Sequence, residues 1–314
     1  MMKKPKFWDK KKITFFSIIL LPLTLFIIIR NFLFKFIIKK KFQKKSICIG
    51  NIYLGGTGKT PLTIKLNQII SNLNYNIGTI KKYYPNQKDE QELLRKNTNL
   101  IIVNNRVDSF KVAKDKNIDL LLFDDGLQDR NLDYDLKFVC FKTSKWIGNG
   151  QLIPAGPLRE SLTSIVNYDA IFLNSENSIP KLIIDNIKTI NPSIKIFETN
   201  YFIKNLDNLD KSQNYLIFSG VGDPESFKNL LLKNNFKISR EIIFEDHHEY
   251  SEKDIIKILN ESNKLGLEII TTEKDIVKID KKYSDRINFL KIDLKIKKET
   301  DLINFINEKF NQKN

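Results

Sequence analysis

The run YLGGTGKT at residues 53–60 constrains this 314-residue chain more than any other segment. It follows the apolar run SICIG (46–50) and opens a helix predicted over 60–73. Strand, glycine-rich turn and helix in that order make an anion cradle, because the free N–H groups of the first helical turn and the helix dipole face the bound phosphate. Gly55, Gly56 and Gly58 let the backbone come close to the phosphates. Lys59 is expected to neutralise charge between the β- and γ-phosphates of ATP, and the Thr60 hydroxyl to ligate Mg²⁺. Tyr53, Leu54 and Thr57 complete the loop, with Tyr53 standing where the usual pattern has its first Gly.

A loop of this kind needs a parallel sheet around it, and the following segments supply one. Strand-like runs recur at 76–80, 99–103, 118–123, 136–141 and 169–173, with helical stretches such as 106–116 between several of them. This alternation predicts a P-loop NTPase-like, doubly wound parallel α/β sheet. A second series begins at YLIFSGVG (215–222) and continues through helices at 224–234 and 251–264, strands at 236–244, 267–272 and 287–292, and a last helix from Asp301. The strand-like KIFETNYFI (195–203) leads into the polar stretch NLDNLDKSQN (205–214), which is the best boundary. The expected organisation is a basic hydrophobic anchor at 1–45, a phosphate-loop domain at 46–204 and a smaller α/β domain at 205–314. Cys48 and Cys140 lie inside short apolar runs and read as buried strand residues of a reducing compartment.

The net charge of +15 would suit a nucleic-acid binder, but its distribution does not. Residues 1–45 hold twelve Lys, one Arg and one Asp, which leaves only +3 on the other 269 residues. No nucleic-acid partner is therefore expected. Residues 13–29 carry no charge, and as a helix they would measure roughly 25 Å, the short limit for crossing a bilayer. Lysine clusters at 3–12 and 35–45 flank that stretch, and the positive-inside bias disfavours exporting either one. Pro22 is expected to interrupt the helix near its middle. These features favour a monotopic anchor in the lipids of the inner leaflet over a full span, and both readings put the chain at a membrane.

Four further segments carry chemistry. IDLLLFDDGLQDR (118–130) ends an apolar strand in Asp124 and Asp125, the Walker-B arrangement that sets a carboxylate beside the metal. EDHHEY (245–250) holds the only two histidines, next to acids and just after a strand, where an imidazole can accept a proton or orient a carboxylate that does. GNGQLIPAGPLRE (148–160) is a rigid Gly/Pro loop whose Arg159 suits a substrate phosphate or the transferring phosphoryl group, or else is a structural crossover. TTEKD (271–275), after a strand, reads equally as a helix cap or as a polar lip of a site.

In order and wording these segments resemble the tetraacyldisaccharide 4′-kinase family of lipid A biosynthesis. The resemblance is carried by PKFW…LLPL, GNIYLGGTGKTP, a DE pair, DDGLQ, GNGQLIPAGPLRE, FSGVGDPESF, DHH and TTEKDIVK, over residues 5–280. It implies transfer of the ATP γ-phosphate to the 4′-hydroxyl of a tetraacylated glucosamine disaccharide 1-phosphate, giving lipid IVA, with Mg²⁺ and a membrane-docked N-terminal helix. It also implies a location on the cytoplasmic face of a bacterial inner membrane. An Asp–His pair is thought to activate the sugar hydroxyl in the family, and the matching positions are Asp89 and His247. Glu90, Asp124, Asp125, Gln128 and Arg159 match other active-site positions. The chain departs from the family at KKYYP (81–85), where SRGYG is usual, in the shortened stretch before Asp89, and at Asp129, where His is usual.

The main alternative from the residues alone is a membrane-associated phosphate-loop ATPase switch of the partitioning or targeting type. Several such switches carry an extra Lys early in the loop, a region held by Tyr53 and Leu54 here, and they lack a GNG…PAGPLRE segment.

Overall fold

The structure is a computed structural model that describes residues 5–33, 36–85 and 87–312. Residues 1–4, 34 and 35 of the expected anchor lie outside the described residues. The chain forms two compact units, residues 1–83, 97–200 and 294–314 in one and residues 84–96 and 201–293 in the other. The expected boundary near 205 falls where the chain first enters the long part of the second unit. The segments 84–96 and 294–314 are exchanged across it: a short helix from the early chain joins the second unit, and the last helix joins the first.

The first unit is built on an eight-stranded sheet. Its order is Leu100–Val103, Ile77–Lys82, Leu120–Asp124, Lys45–Gly50, Leu136–Lys142, Ala170–Asn174, Lys195–Ile203 and Ile292–Ile296. The strand leading into the phosphate loop thus lies inside the sheet, parallel to both neighbours. The strands Leu120–Asp124 and Ala170–Asn174 of this sheet are buried along their whole length, as near-continuous apolar runs such as LLLFD and AIFLN require in a parallel sheet covered on both faces. The helix Lys59–Ser71 carries the chain to one side of Lys45–Gly50, and the segment after Leu120–Asp124 carries it to the other. That reversal places the ends of the two strands side by side, with Ile49 in register with Asp124, at the kind of switch point where α/β sheets bind ligands. Cys48 and Cys140 are buried free thiols within these strands.

The N-terminal helix Phe15–Leu33 runs without a break through Pro22, contrary to the expected interruption. Proline costs the helix one backbone bond, and a continuous apolar run on both sides keeps the remaining turns. The only buried residues of this helix are its polar Ser17 and Thr24, while Phe15, Phe16, Leu25 and Phe26 are exposed. That is the reverse of a water-soluble amphipathic helix. Its mean hydropathy of 2.2 makes it long and apolar enough to cross a membrane.

The second unit carries a four-stranded sheet in the order Lys237–Ile243, Asn214–Ser219, Glu268–Thr272 and Asn288–Leu290, with every neighbouring pair parallel. Its helix Glu252–Leu265 starts at a capping box made by Ser251 and Asp254, and stops at Gly266 in the left-handed region. The run INFLKI, expected as one strand, is split at Lys291 into Asn288–Leu290 of the small sheet and Ile292–Ile296 of the large one.

Candidate functional site

In the first unit the phosphate loop is set by a residue just before it. Asn51 is fully buried, and its side-chain amide donates to the Tyr53 carbonyl at 2.6 Å and the Thr57 hydroxyl at 2.9 Å, with the Gly55 carbonyl at 3.2 Å. The helix Lys59–Ser71 then starts from Gly58, whose φ of 92° is a conformation that side chains resist. Tyr53 is buried rather than presented to a ligand. It forms an antiparallel bridge with Leu158, and its hydroxyl donates to the Asp9 carboxylate. Leu54 N–H donates to the Pro157 carbonyl at 2.8 Å, and Arg159 N–H donates to the Ile52 carbonyl at 2.7 Å. The Gly/Pro segment 148–160 is therefore laced to the phosphate loop through the backbone.

The same segment receives the N-terminal residues. Trp8 is buried and its indole donates to the Pro154 carbonyl at 3.0 Å, while Asn149 N–H donates to the Trp8 carbonyl at 2.9 Å. The Asn149 amide also donates to the Ser17 hydroxyl at 3.0 Å, which accounts for the burial of that polar residue in the apolar helix.

Charged groups gather at the strand ends. Asp124 is fully buried and accepts from Lys81 Nζ at 2.7 Å, from Thr63 at 3.2 Å and from Thr60 at 3.4 Å. Asp125, with a left-handed φ of 57°, lies 3.7 Å from Lys59 Nζ and 3.3 Å from the Arg159 guanidinium. Arg159 also donates to Gln128 Oε1 at 3.0 Å, and Gln128 Nε2 donates to Glu160 Oε1 at 3.0 Å. Lys59, Thr60, Asp124, Asp125, Gln128 and Arg159 are thus assembled around one point. Asp129 pairs with the buried Arg106 at 3.2 Å, and Arg106 donates to the Asp125 carbonyl at 2.6 Å.

Among the described residues no three His, Cys, Asp or Glu side chains come together as a metal cage. Mg²⁺ does not need one, since it is commonly held by one or two protein oxygens together with phosphates and water. The Thr60 hydroxyl and the Asp124 carboxylate, 3.4 Å apart beside the helix N-terminus, are hard oxygen donors of that type.

The second unit holds Asp89, Glu90 and His247. Asp89 and Glu90 begin the helix Lys88–Asn97, and Asp89 is 3% exposed. His247 Nδ1 lies 2.9 and 3.1 Å from the two Asp89 oxygens, so Nδ1–H donates to the carboxylate and Nε2 of the neutral ring keeps its lone pair. His247 has a φ of 61°, held by its N–H donating to the Gly220 carbonyl at 3.0 Å. Burial opposes the imidazolium, but the bond to Asp89 and the charges of Asp246 and Asp89 outweigh it and raise the His247 pKa. Burial likewise would raise Asp89, yet the bond from His247 and the charges of Lys274, His247 and Lys278 hold it below the usual carboxylate range. Glu90 accepts from Lys274 Nζ at 3.0 Å.

Several of these residues escape a reading of the sequence. Asn51 adjoins the loop and is the one with a usable signal, a polar residue at the end of an apolar strand. Lys81, Arg106 and Glu160 have none, because a single charge in a lysine-rich chain looks like surface.

Phosphate loops serve switches and transporters as well as kinases, and a buried Asp–His couple is of the type that can take a proton from an acceptor hydroxyl. Fold and site together define a phosphate-loop kinase. The profile described as tetraacyldisaccharide-1-P 4′-kinase matches residues 15–311. The tetraacyldisaccharide 4′-kinase of Pelagibacter ubique (strain HTCC1062) is 43% identical over 100% of this chain and 99% of its own length. That of Rickettsia canadensis (strain McKiel) is 31% identical over 98% and 97%. The crystal structure of LpxK from Aquifex aeolicus in complex with ATP superposes with a TM-score of 0.70 over 94% of this chain and 99% of that one, at 23% identity, and so shares the fold. The chain belongs to the tetraacyldisaccharide-1-P 4′-kinase family of lipid A biosynthesis.

Proposed function

We propose that the chain carries out its family's reaction by moving the γ-phosphoryl group of ATP to the 4′-hydroxyl of tetraacyldisaccharide 1-phosphate, giving lipid IVA. The residues divide the work by unit. Tyr53 to Thr60 form the ATP loop, in which backbone N–H groups and Lys59 hold the phosphates. Thr60, Asp124 and Asp125 hold Mg²⁺, which when bound offsets charge on the β- and γ-phosphates. Arg159, oriented by Gln128 and paired with Asp125, supplies the cation for charge developing on the transferred group. Asp89 and His247 take the proton of the acceptor hydroxyl, with Glu90 completing the helix turn that carries Asp89.

The single observation behind this division is the bond between Asp89 and His247, residues 158 positions apart that meet in a unit separate from the phosphate loop. The N-terminal helix supports the acceptor class: its apolar side chains face outward and its polar ones inward, as a lipid surface requires. We assign residues 1–45 to lipids of the inner membrane and the rest of the chain to its cytoplasmic face, where ATP is available.

The test is incubation of purified protein with ATP, Mg²⁺ and the disaccharide 1-phosphate, scored for a bisphosphorylated lipid. Lys59→Ala is expected to abolish that product. ATP turnover with no lipid product would instead point to a switch.

A further inference from the structure

The segment TTEKDIVK has no part in the proposed chemistry, although Lys278 lies against Asp89 and Asp275 shares Gly220 with His247. The helix Glu273–Ile276 is capped by Thr272, whose side chain accepts from Asp275 N–H. Asp275 is fully buried and its carboxylate accepts from Thr272 Oγ1 at 2.7 Å and from Gly220 N–H at 3.1 Å. Gly220 is also the residue whose carbonyl fixes His247 in its left-handed conformation. Two lysines stand four residues apart, Lys274 on this helix and Lys278 just past its end. Lys274 donates to Glu90, and Lys278 Nζ lies 3.1 Å from Asp275 and 3.6 Å from Asp89. Two lysines four residues apart thus meet two adjacent carboxylates on the first turn of the Lys88–Asn97 helix.

We propose that Lys278, supported by Lys274, is a positioning residue that keeps the Asp89–His247 pair in its proton-accepting form. The inference rests on the reading of that pair as the acceptor-activating base. The form needed is Asp89 ionised and His247 neutral, which carries one negative charge. The first proton to arrive makes imidazolium and cancels that charge. A fixed ammonium 3.6 Å from Asp89 stabilises the anionic form and opposes the incoming proton. The groups facing the pair are Lys274 and Lys278 on the positive side and Asp246 beside His247 on the negative side, the last at 3.8 Å. Lys274 lowers the affinity of His247 for its proton, against the effect of Asp246. With Lys278 removed, the balance shifts towards the ionised Asp89 with imidazolium, the inactive pair. Capping and charge are two uses of one short helix, since Asp275 holds both the cap and the lysine.

The chain has only two histidines, so the His247 ring proton can be followed by NMR, with His248→Asn assigning the other signal. Lys278→Met is expected to raise the His247 titration midpoint by about half to one pH unit and to move the acid limb of kcat/KM by the same amount. At a pH on that limb, kcat/KM falls roughly three- to tenfold while the affinity for ATP is unchanged. Lys278→Arg is expected to restore both midpoints, and Lys278→Gln reads the same shift if the methionine variant does not fold. Loss of activity with both midpoints unmoved, or a shift that arginine fails to reverse, would overturn the proposal and leave Lys278 a structural residue. If His247→Ala itself retained full turnover, the underlying reading of the pair would fail instead.

Discussion

Lys81 occupies the interior of the first unit, 1% exposed, with its ammonium against the Asp124 carboxylate. A buried carboxylate cannot stay charged alone, so this lysine replaces the solvent that Asp124 lacks. Lys81→Met is expected to cost about 3–5 kcal/mol, the range for removing one partner of a buried pair, and thermal unfolding measures it. Arg106 holds Asp129 and the Asp125 carbonyl in a comparable way, which gives the unusual Asp129 a structural partner. At the acceptor side, His247→Ala is expected to lower kcat by about 10²- to 10⁴-fold and leave ATP affinity within about twofold. The pH dependence follows from the sign of the His247 shift. Its pKa lies above the ordinary 6.5, so the neutral, accepting ring is lost as pH falls through that higher value. The acid limb of kcat/KM is therefore expected above pH 6.5 in a rate profile, and a limb below it would contradict the Asp89 contact.

Elements were more legible than the contacts between them. The strand before the loop and the helix after it fall within two residues of their expected bounds, because apolar runs bounded by glycine have one sensible reading. Pro22 escapes the expectation because rules made for helices in water are applied to an exposed apolar one. The split at Lys291 has no signal, since apolar residues flank it on both sides and only the sheets decide where each half pairs. Of the candidate site, the phosphate loop and DDGLQ lie in contiguous runs and were plain. Asp89, and its pairing with a histidine of EDHHEY, came from resemblance, as no local pattern joins two residues so far apart. The docking of Trp8 against the 148–160 loop had no signal at all. Trp8→Ala is expected to destabilise the first unit by about 3–5 kcal/mol and to speed hydrogen exchange at Asn149 and Gly156, whose N–H groups bond within that region.

The whole molecule carries an exposed apolar face on one helix, the proposed lipid contact, and its phosphate site elsewhere, and the two are separable by substitution. Phe16 and Phe26 are 64% and 71% exposed and make no part of the phosphate site. Changing both to Glu is expected to move the protein from sedimenting vesicles to the supernatant with ATP affinity intact. Continued sedimentation would place the lipid contact on another surface.

The bond from Trp8 to Pro154 spans 146 residues. On a ribosome adding about 5–20 residues each second, the indole emerges roughly 7 to 30 seconds before its receiving carbonyl is made. During that interval the apolar helix has no protein partner and the bilayer is the nearest sink for its side chains. On the proposed lipid contact of this helix, the membrane is expected to be met before the nucleotide site is complete, so that the later strands fold beside the bilayer.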